Sequence, residues 1–324
     1  MTFEIESAPG WLVVQDLGRP GHAAAGVPEG GAADPWALVA ANLAVGNPPD
    51  AAGLEWAAGG GRLCFRAPSR LALAGAQAGA WLGGRPIVPG EALEIADGDR
   101  LEVGRFGRGR YLYLALAGGL DTVAVLGSRS TYLPSRIGGY EGRRLARGDR
   151  LSTIAGPPPA RPDAELAQAS RAALQSASRA LESTAIRVVP GPEAPPSEDA
   201  RWRTLLESEW RVSPRSDRGG IRLLGPAIAG SGDPGFLSKP LVPGAIELTA
   251  EGPIVVGADG PTTGGYPVLA VVVRCDLARL WQRSPGEVVR LERVDIEAAR
   301  RSTSEDLRLL DRLRRIAGEP DGAS

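Results

Sequence analysis

Apolar and polar positions alternate in short runs along the first 156 residues, at 3–6, 11–15, 62–66, 70–73, 100–103 and 111–115. Pro, Gly or Asp bounds each run, and period-two alternation between such punctuation predicts strands. One stretch departs from this pattern. Asp34 is a good N-cap, Pro35 suits a first helical turn, and Trp36, Val39, Ala40 and Leu43 recur at helical spacing until Gly46-Asn47, which predicts a helix that plugs or flanks a barrel or sandwich. From 157 the texture changes. PPPARP is stiff, and DAELAQASRAALQSASRALES carries a weak stripe at Leu166, Leu174 and Leu181, which reads as a linker with a marginal helix.

Strand patterns resume at 185–189, followed by a short helix marked by Trp202, Leu205 and Leu206. Two apolar runs, 254–256 and 268–273, flank the loop DGPTTGGYP. From Asp295 the chain is charged, with Leu307, Leu310, Leu313 and Ile316 on one side of a helix. The expected division is 1–156, linker 157–184, 185–298, and a helical tail 299–324.

Composition narrows the function classes. A formal net charge of -1 gives no general attraction to nucleic acid or an anionic membrane, so a small-molecule or protein partner is expected. No leader or long apolar run is evident, and two cysteines far apart in strand-like runs read as small buried residues, which together suit the cytoplasm. The single histidine, His22, lies in a Gly/Pro loop, so Ser-His-Asp relays and multi-histidine metal sites are not expected. Lys239 is the only lysine.

Chemistry must then come from carboxylates, arginines, hydroxyls and main-chain dipoles. In the DGPTTGGYP loop, Asp259 offers a carboxylate, Thr262, Thr263 and Tyr266 hydroxyls, and Gly264 and Gly265 an approachable backbone. A glycine turn closing a hairpin is the plain alternative. QDLGRPG places Asp16 and Arg19 at a strand end, where they orient an amide or form an internal pair. SPRSDRGG sets Ser216, Asp217 and Arg218 in a similar way. GVPEGGAAD feeds the N-terminus of the predicted helix, a candidate for holding a carboxylate or phosphate, with no P-loop lysine after it. The polar run 117–145 reads as a structured loop with Ser128, Arg129, Ser130 and Thr131 as ligand contacts. Two GDRL segments, at 98–101 and 148–151, read as turns in which Asp bonds its own backbone.

In order, QDLGRPG, AADPWALVAANLAVGN, Glu55, AGGLD with GSRST, IGGYEGRRLARGDRL, SDRGGIRL and DGPTTGGYP resemble the KipA-like family, also called allophanate hydrolase subunit 2 or biotin-dependent carboxyltransferase-like. The resemblance spans about residues 5 to 298. It implies a mainly β protein with two tandem cyclophilin-like β-barrel domains, a few short helices and a C-terminal helical segment. It further implies a KipI-like B subunit, a LamB/YcsF-type A subunit, and ATP-dependent opening of 5-oxoproline to glutamate by the complex. Two other functions stay open: carboxyl transfer to urea or another small amide, without biotin on this chain, and sequestration of a KipI-like kinase inhibitor.

On this resemblance the expected catalytic set is Asp16, Arg19, Asp217, Arg218 and Asp259. Ser128, Arg129, Thr131, Glu247, Thr262, Thr263, Gly264, Gly265 and Tyr266 are the expected substrate contacts. The chain departs from the family pattern with Glu247 and Pro261 where glutamines are expected, and with Gly219-Gly220-Ile221 for Met-Gly-Tyr.

Overall fold

A computed structural model describes residues 1–57, 59–156, 159–182, 184–196, 199–229 and 237–318. The chain forms two compact units. One comprises Met1–Arg19, Gly30–Leu181 and the C-terminal helix from Arg308; the other comprises Pro20–Glu29 and Glu182–Leu307.

In the first unit, β1 (Thr2–Ser7), β2 (Trp11–Gln15), β3 (Gly53–Ala57), β4 (Gly61–Phe65), β5 (Ser69–Leu82), β6 (Arg85–Pro86), β7 (Leu93–Ile95), β8 (Arg100–Leu116) and β9 (Arg150–Ser152) make one nine-stranded sheet. The main path is β2-β3-β8-β4-β1-β9. The first half of β8 pairs with β4 and the second half with β3, while β5 runs along its other side, so the sheet curls into a half-barrel. Its core is aliphatic and aromatic, centred on Phe3, Leu12, Leu54, Trp56, Phe65 and Leu112.

The glycines that suggested turns inside β5 and β8 are instead bends in continuous strands. The register shifts at Gly75/Gln77, Gln77/Ala78 and Ala78/Ala80. At Gly75, φ is +109° and a Cβ would lie 2.5 Å from the Tyr111 carbonyl, so the bend needs a residue without one. The expected strands 100–103 and 111–115 are therefore one strand of 17 residues.

Helix α1 (Pro35–Ala44) starts where the cap predicted, with Asp34 Oδ1 accepting the Ala37 N–H at 3.1 Å. Unlike the one-faced helix expected, it is buried throughout from Ala37 to Ala44, packed on β5 and β8 and tied to α2 (Ala164–Glu182). The Ser170 hydroxyl of α2 donates to the Ala40 carbonyl at 3.0 Å. The segment expected as a linker thus carries a 19-residue helix, which clusters with the first unit as far as Leu181 and buries small residues, Ala169, Ala173, Ala177 and Ala180. Residues 157, 158 and 183 of that expected linker, and 319–324 of the expected tail, lie outside the described residues.

The second unit is a closed seven-stranded barrel. β10 (Ala185–Pro190), β11 (Trp210–Val212), β12 (Gly220–Leu224), β14 (Ala245–Thr249), β15 (Gly252–Val256), β17 (Val268–Val272) and β18 (Val288–Arg293) follow the order β10-β17-β14-β15-β12-β11-β18. The parallel β10/β18 ladder closes it. A separate two-residue ladder joins β13 (Lys239–Pro240) to β16 (Thr263–Gly264). Helix α3 (Ala200–Glu207) carries Trp202 and Leu205 inward, α4 (Leu277–Trp281) follows β17, and α5 (Ile296–Ile316) forms the amphipathic carboxyl end. Among the described residues no helix is long and apolar enough to cross a membrane.

Candidate functional site

Each unit gathers part of the predicted polar set. In the first, the long loop after β8 runs along β2: the Thr131 N–H and hydroxyl both donate to the Val14 carbonyl, at 2.9 and 3.0 Å, and the Leu145 N–H donates to Leu12. This docks Ser128, Arg129 and Ser130 against the end of β2. Asp16 Oδ1 accepts the Gly18 N–H at 2.8 Å and the Ser128 and Ser130 hydroxyls at 2.6 and 2.5 Å, while Oδ2 accepts the Arg129 N–H at 2.5 Å. Arg19, only 1% exposed, donates to the carbonyls of Val125 and Ser130. The Arg129 guanidinium donates to the Thr122 carbonyl.

Asp16 and Arg19 were expected in the catalytic set, with an internal pair as the alternative. In the structure both side chains are buried and engaged with their own chain, joining loops more than a hundred residues apart. The same holds for the glycine-rich loop before α1. Glu55 accepts the Ala33 N–H at 2.9 Å and the Tyr113 hydroxyl at 2.7 Å, and that hydroxyl accepts the Asp34 N–H at 2.8 Å. Burial first, and then the Glu55 and Asp34 charges, raise the Tyr113 phenol well above its ordinary range, so it stays a donor to Glu55. The N–H groups expected to hold an external anion are occupied by Glu55, Tyr113 and Asp34. In sequence Glu55 was an isolated member of the motif set that carries the resemblance, and Tyr113 one more residue of an expected strand.

In the second unit Arg218 and Asp259 form a bidentate pair, Nε to Oδ2 at 2.7 Å and Nη2 to Oδ1 at 2.9 Å, with both side chains almost wholly buried. The pair ties the turn after β15 to the 213–219 loop, where the Asp259 N–H also donates to the Arg218 carbonyl. Asp217 is exposed, with Oδ1 accepting the Gly219 N–H at 2.8 Å. Thr263 and Tyr266 are exposed, while Thr262, Gly264 and Gly265 are half-buried.

Directly behind this loop lies Glu247, 7% exposed, on the face of β14 shared with Ala245. Its neighbours Leu241, Ala245, Val256 and Val268 form a small apolar cluster. Oε1 is buried without a hydrogen-bond partner, and a Cβ on Gly264 would come within 2.2 Å of it. Gly264 is therefore needed to make room for the carboxyl. Burial raises the Glu247 pKa, opposed by the Tyr266 N–H and the charge of Lys239. Lys239 sits on β13 and pairs with Glu193, whose other oxygen accepts the Val268 N–H at 2.9 Å. Sequence reasoning gave Lys239 and Glu193 no part here; the signal was that Lys239 is the single lysine of the chain.

The two-unit β fold that carries these residues resembles that of known proteins. The family model for the carboxyltransferase domain, subdomains A and B, matches residues 25–293. The chain belongs to that family. It is 36% identical to the C component of the 5-oxoprolinase of Escherichia coli (strain K12) over 308 residues, 94% of each chain. It is 32% identical to urea amidolyase of Lachancea kluyveri, spanning 92% of this chain but 17% of that much longer protein. Among solved structures, the urea carboxylase of Kluyveromyces lactis superposes with a TM-score of 0.86 at 29% identity, over 96% of this chain and 29% of that one.

Proposed function

We propose that this protein is the C-type component of an ATP-dependent 5-oxoprolinase, opening the lactam to L-glutamate together with a KipI-like B subunit and a LamB/YcsF-type A subunit in the cytoplasm. The observation that carries this reading is the end-to-end match, 94% of both chains, with a protein named as a subunit of that enzyme. ATP is consumed by the complex, and neither biotin nor a metal on this chain enters the reading.

Opening a lactam needs donors on the carbonyl oxygen and a proton for the departing nitrogen. In this reading the amide lies over the 262–266 loop, with the Thr262, Thr263 and Tyr266 hydroxyls and the main chain of Gly264 and Gly265 holding it. Glu247, immediately behind Gly264, and the exposed Asp217 are the groups for proton handling. Asp16, Arg19, Ser128, Arg129 and Thr131 hold the loops of the first unit, and Arg218 with Asp259 hold the turn beside the second-unit loop, as positioning residues.

The test is glutamate formation from 5-oxoproline by this chain co-purified with A- and B-type subunits, with and without ATP. ATP-dependent turnover is expected, falling by about a hundredfold in Glu247→Gln while the complex still assembles. An assembled complex inert toward 5-oxoproline, but carboxylating urea when supplied with a biotin carboxylase partner, would replace this reading with the carboxyltransferase one, which the urea carboxylase superposition favours.

A further inference from the structure

A cleft of about 920 Å³ in the first unit is bordered by β1, the turn after it and the 144–148 segment. Four arginines, Arg62, Arg100, Arg144 and Arg147, line it with two acids, Glu4 and Glu6. The acids are already matched. Glu6 pairs with Arg100 at 2.9 Å, and Glu4 with Arg150 at 3.2 Å and Arg66 at 3.6 Å. The adjacent Arg143 is engaged by Asp149 and Glu141. Arg62, Arg144 and Arg147 are exposed to the cleft without a carboxylate in ion-pair range among the described residues. Local positive charge is thus concentrated on a chain whose formal net charge is -1.

Arg144 is the most informative of the three. Its guanidinium lies over the Trp11 ring, 3.2 Å from the centroid, and partial burial lowers its pKa with no counter-charge opposing the shift. Stacking occupies the face of a guanidinium and leaves its in-plane N–H fork for an oxyanion. The segment that carries Arg144 and Arg147 is fixed to the sheet, since the Leu145 and Gly148 N–H groups each donate at 2.8 Å to Leu12 and Ile5. The arginines therefore stand on ordered backbone.

We propose that this cleft binds a polyphosphate-bearing small molecule, with Arg62, Arg144 and Arg147 taking its phosphoryl oxygens. A monocarboxylate would satisfy one guanidinium and leave two unmatched, whereas a di- or triphosphate offers several charges and the oxygen spacing that arginine forks fit. A cleft of this volume accommodates a ligand of nucleotide size. The inference stands on the first unit alone and does not need the proposed reaction.

The experiment is isothermal titration of the full chain with ATP, inorganic pyrophosphate and adenosine, at low and at moderate salt. ATP and pyrophosphate are expected to bind, more weakly as salt rises, and adenosine is not. Arg62→Ala/Arg144→Ala/Arg147→Ala is expected to weaken both by about tenfold or more, with an unchanged melting profile showing that the fold persists. Equal affinities would mean that the cleft reads the polyphosphate alone; tighter binding of ATP would mean that it reads a nucleotide. The proposal is overturned if neither polyphosphate binds, or if the triple variant binds as the parent does.

Discussion

Replacing Asp16 by Ala tests whether this carboxylate organises the first-unit loops or does chemistry. The substitution leaves four donors without their acceptor: the Gly18 and Arg129 N–H groups and the Ser128 and Ser130 hydroxyls. Hydrogen bonds to a charged group contribute about 1.5–3 kcal/mol each, and hydroxyls rotate to other acceptors more readily than fixed amides do. The two amides alone come to about 3–6 kcal/mol, and the hydroxyls add part of their own share, so the loss takes a large part of the ~5–15 kcal/mol that a domain has. Asp16→Asn should cost about half as much, because it keeps an acceptor at Oδ1 but turns an NH2 toward the Arg129 N–H. Urea denaturation followed by tryptophan fluorescence and by far-ultraviolet circular dichroism measures both. A loss below about 1 kcal/mol for Asp16→Ala would refute the organising role. Unchanged stability with abolished turnover would return Asp16 to the catalytic set.

Two further outcomes follow from the second unit. Arg218→Met or Asp259→Leu alone should destabilise by about 3–5 kcal/mol, each removing one half of a buried ion pair, whereas the double variant should lie closer to the parent; additive losses in a double-mutant cycle would contradict a direct pair. Glu247 should make stability fall as pH rises. Its folded-state pKa is raised from 4.5, so between that value and the raised one the folded chain keeps a proton that the unfolded chain has lost. Glu247→Gln should remove that part of the slope, and parallel stability–pH curves for the two proteins would sink the assignment.

What was legible in sequence was local. Asp34-Pro35 located the start of α1 to the residue, and the two GDRL turns behave alike, with Asp99 and Asp149 accepting the N–H groups of Ala96 and Ala146. The motif order anticipated a family that the comparisons bear out. Glycines in β5 and β8 misled because a glycine that bends a strand and one that ends it look the same along a chain. The engagement of Asp16 was illegible for another reason. Its partners Ser128, Arg129 and Ser130 lie 112 to 114 residues away, and no periodicity reports which loop docks on which strand end. Glu247 stood out as a departure from the family pattern, but its unpartnered oxygen depends on Gly264 across a hairpin, which only coordinates reveal.

The parallel ladder between β10 and β18 has a consequence for the birth of the protein. It joins Ala185 to Arg290 and Val188 to Arg293, and β18 also pairs with β11, so the last strand of the second unit bridges two of its earliest. During vectorial synthesis those two edges wait for about a hundred residues, roughly five to twenty seconds at ordinary elongation rates, before their partner emerges. Through that interval the nascent barrel is an open sheet with two unsealed edges, the form of β structure most prone to pair with other chains. A ribosome stalled before Val288 would release a fragment with every loop of the candidate site and no way to close the wall that supports it.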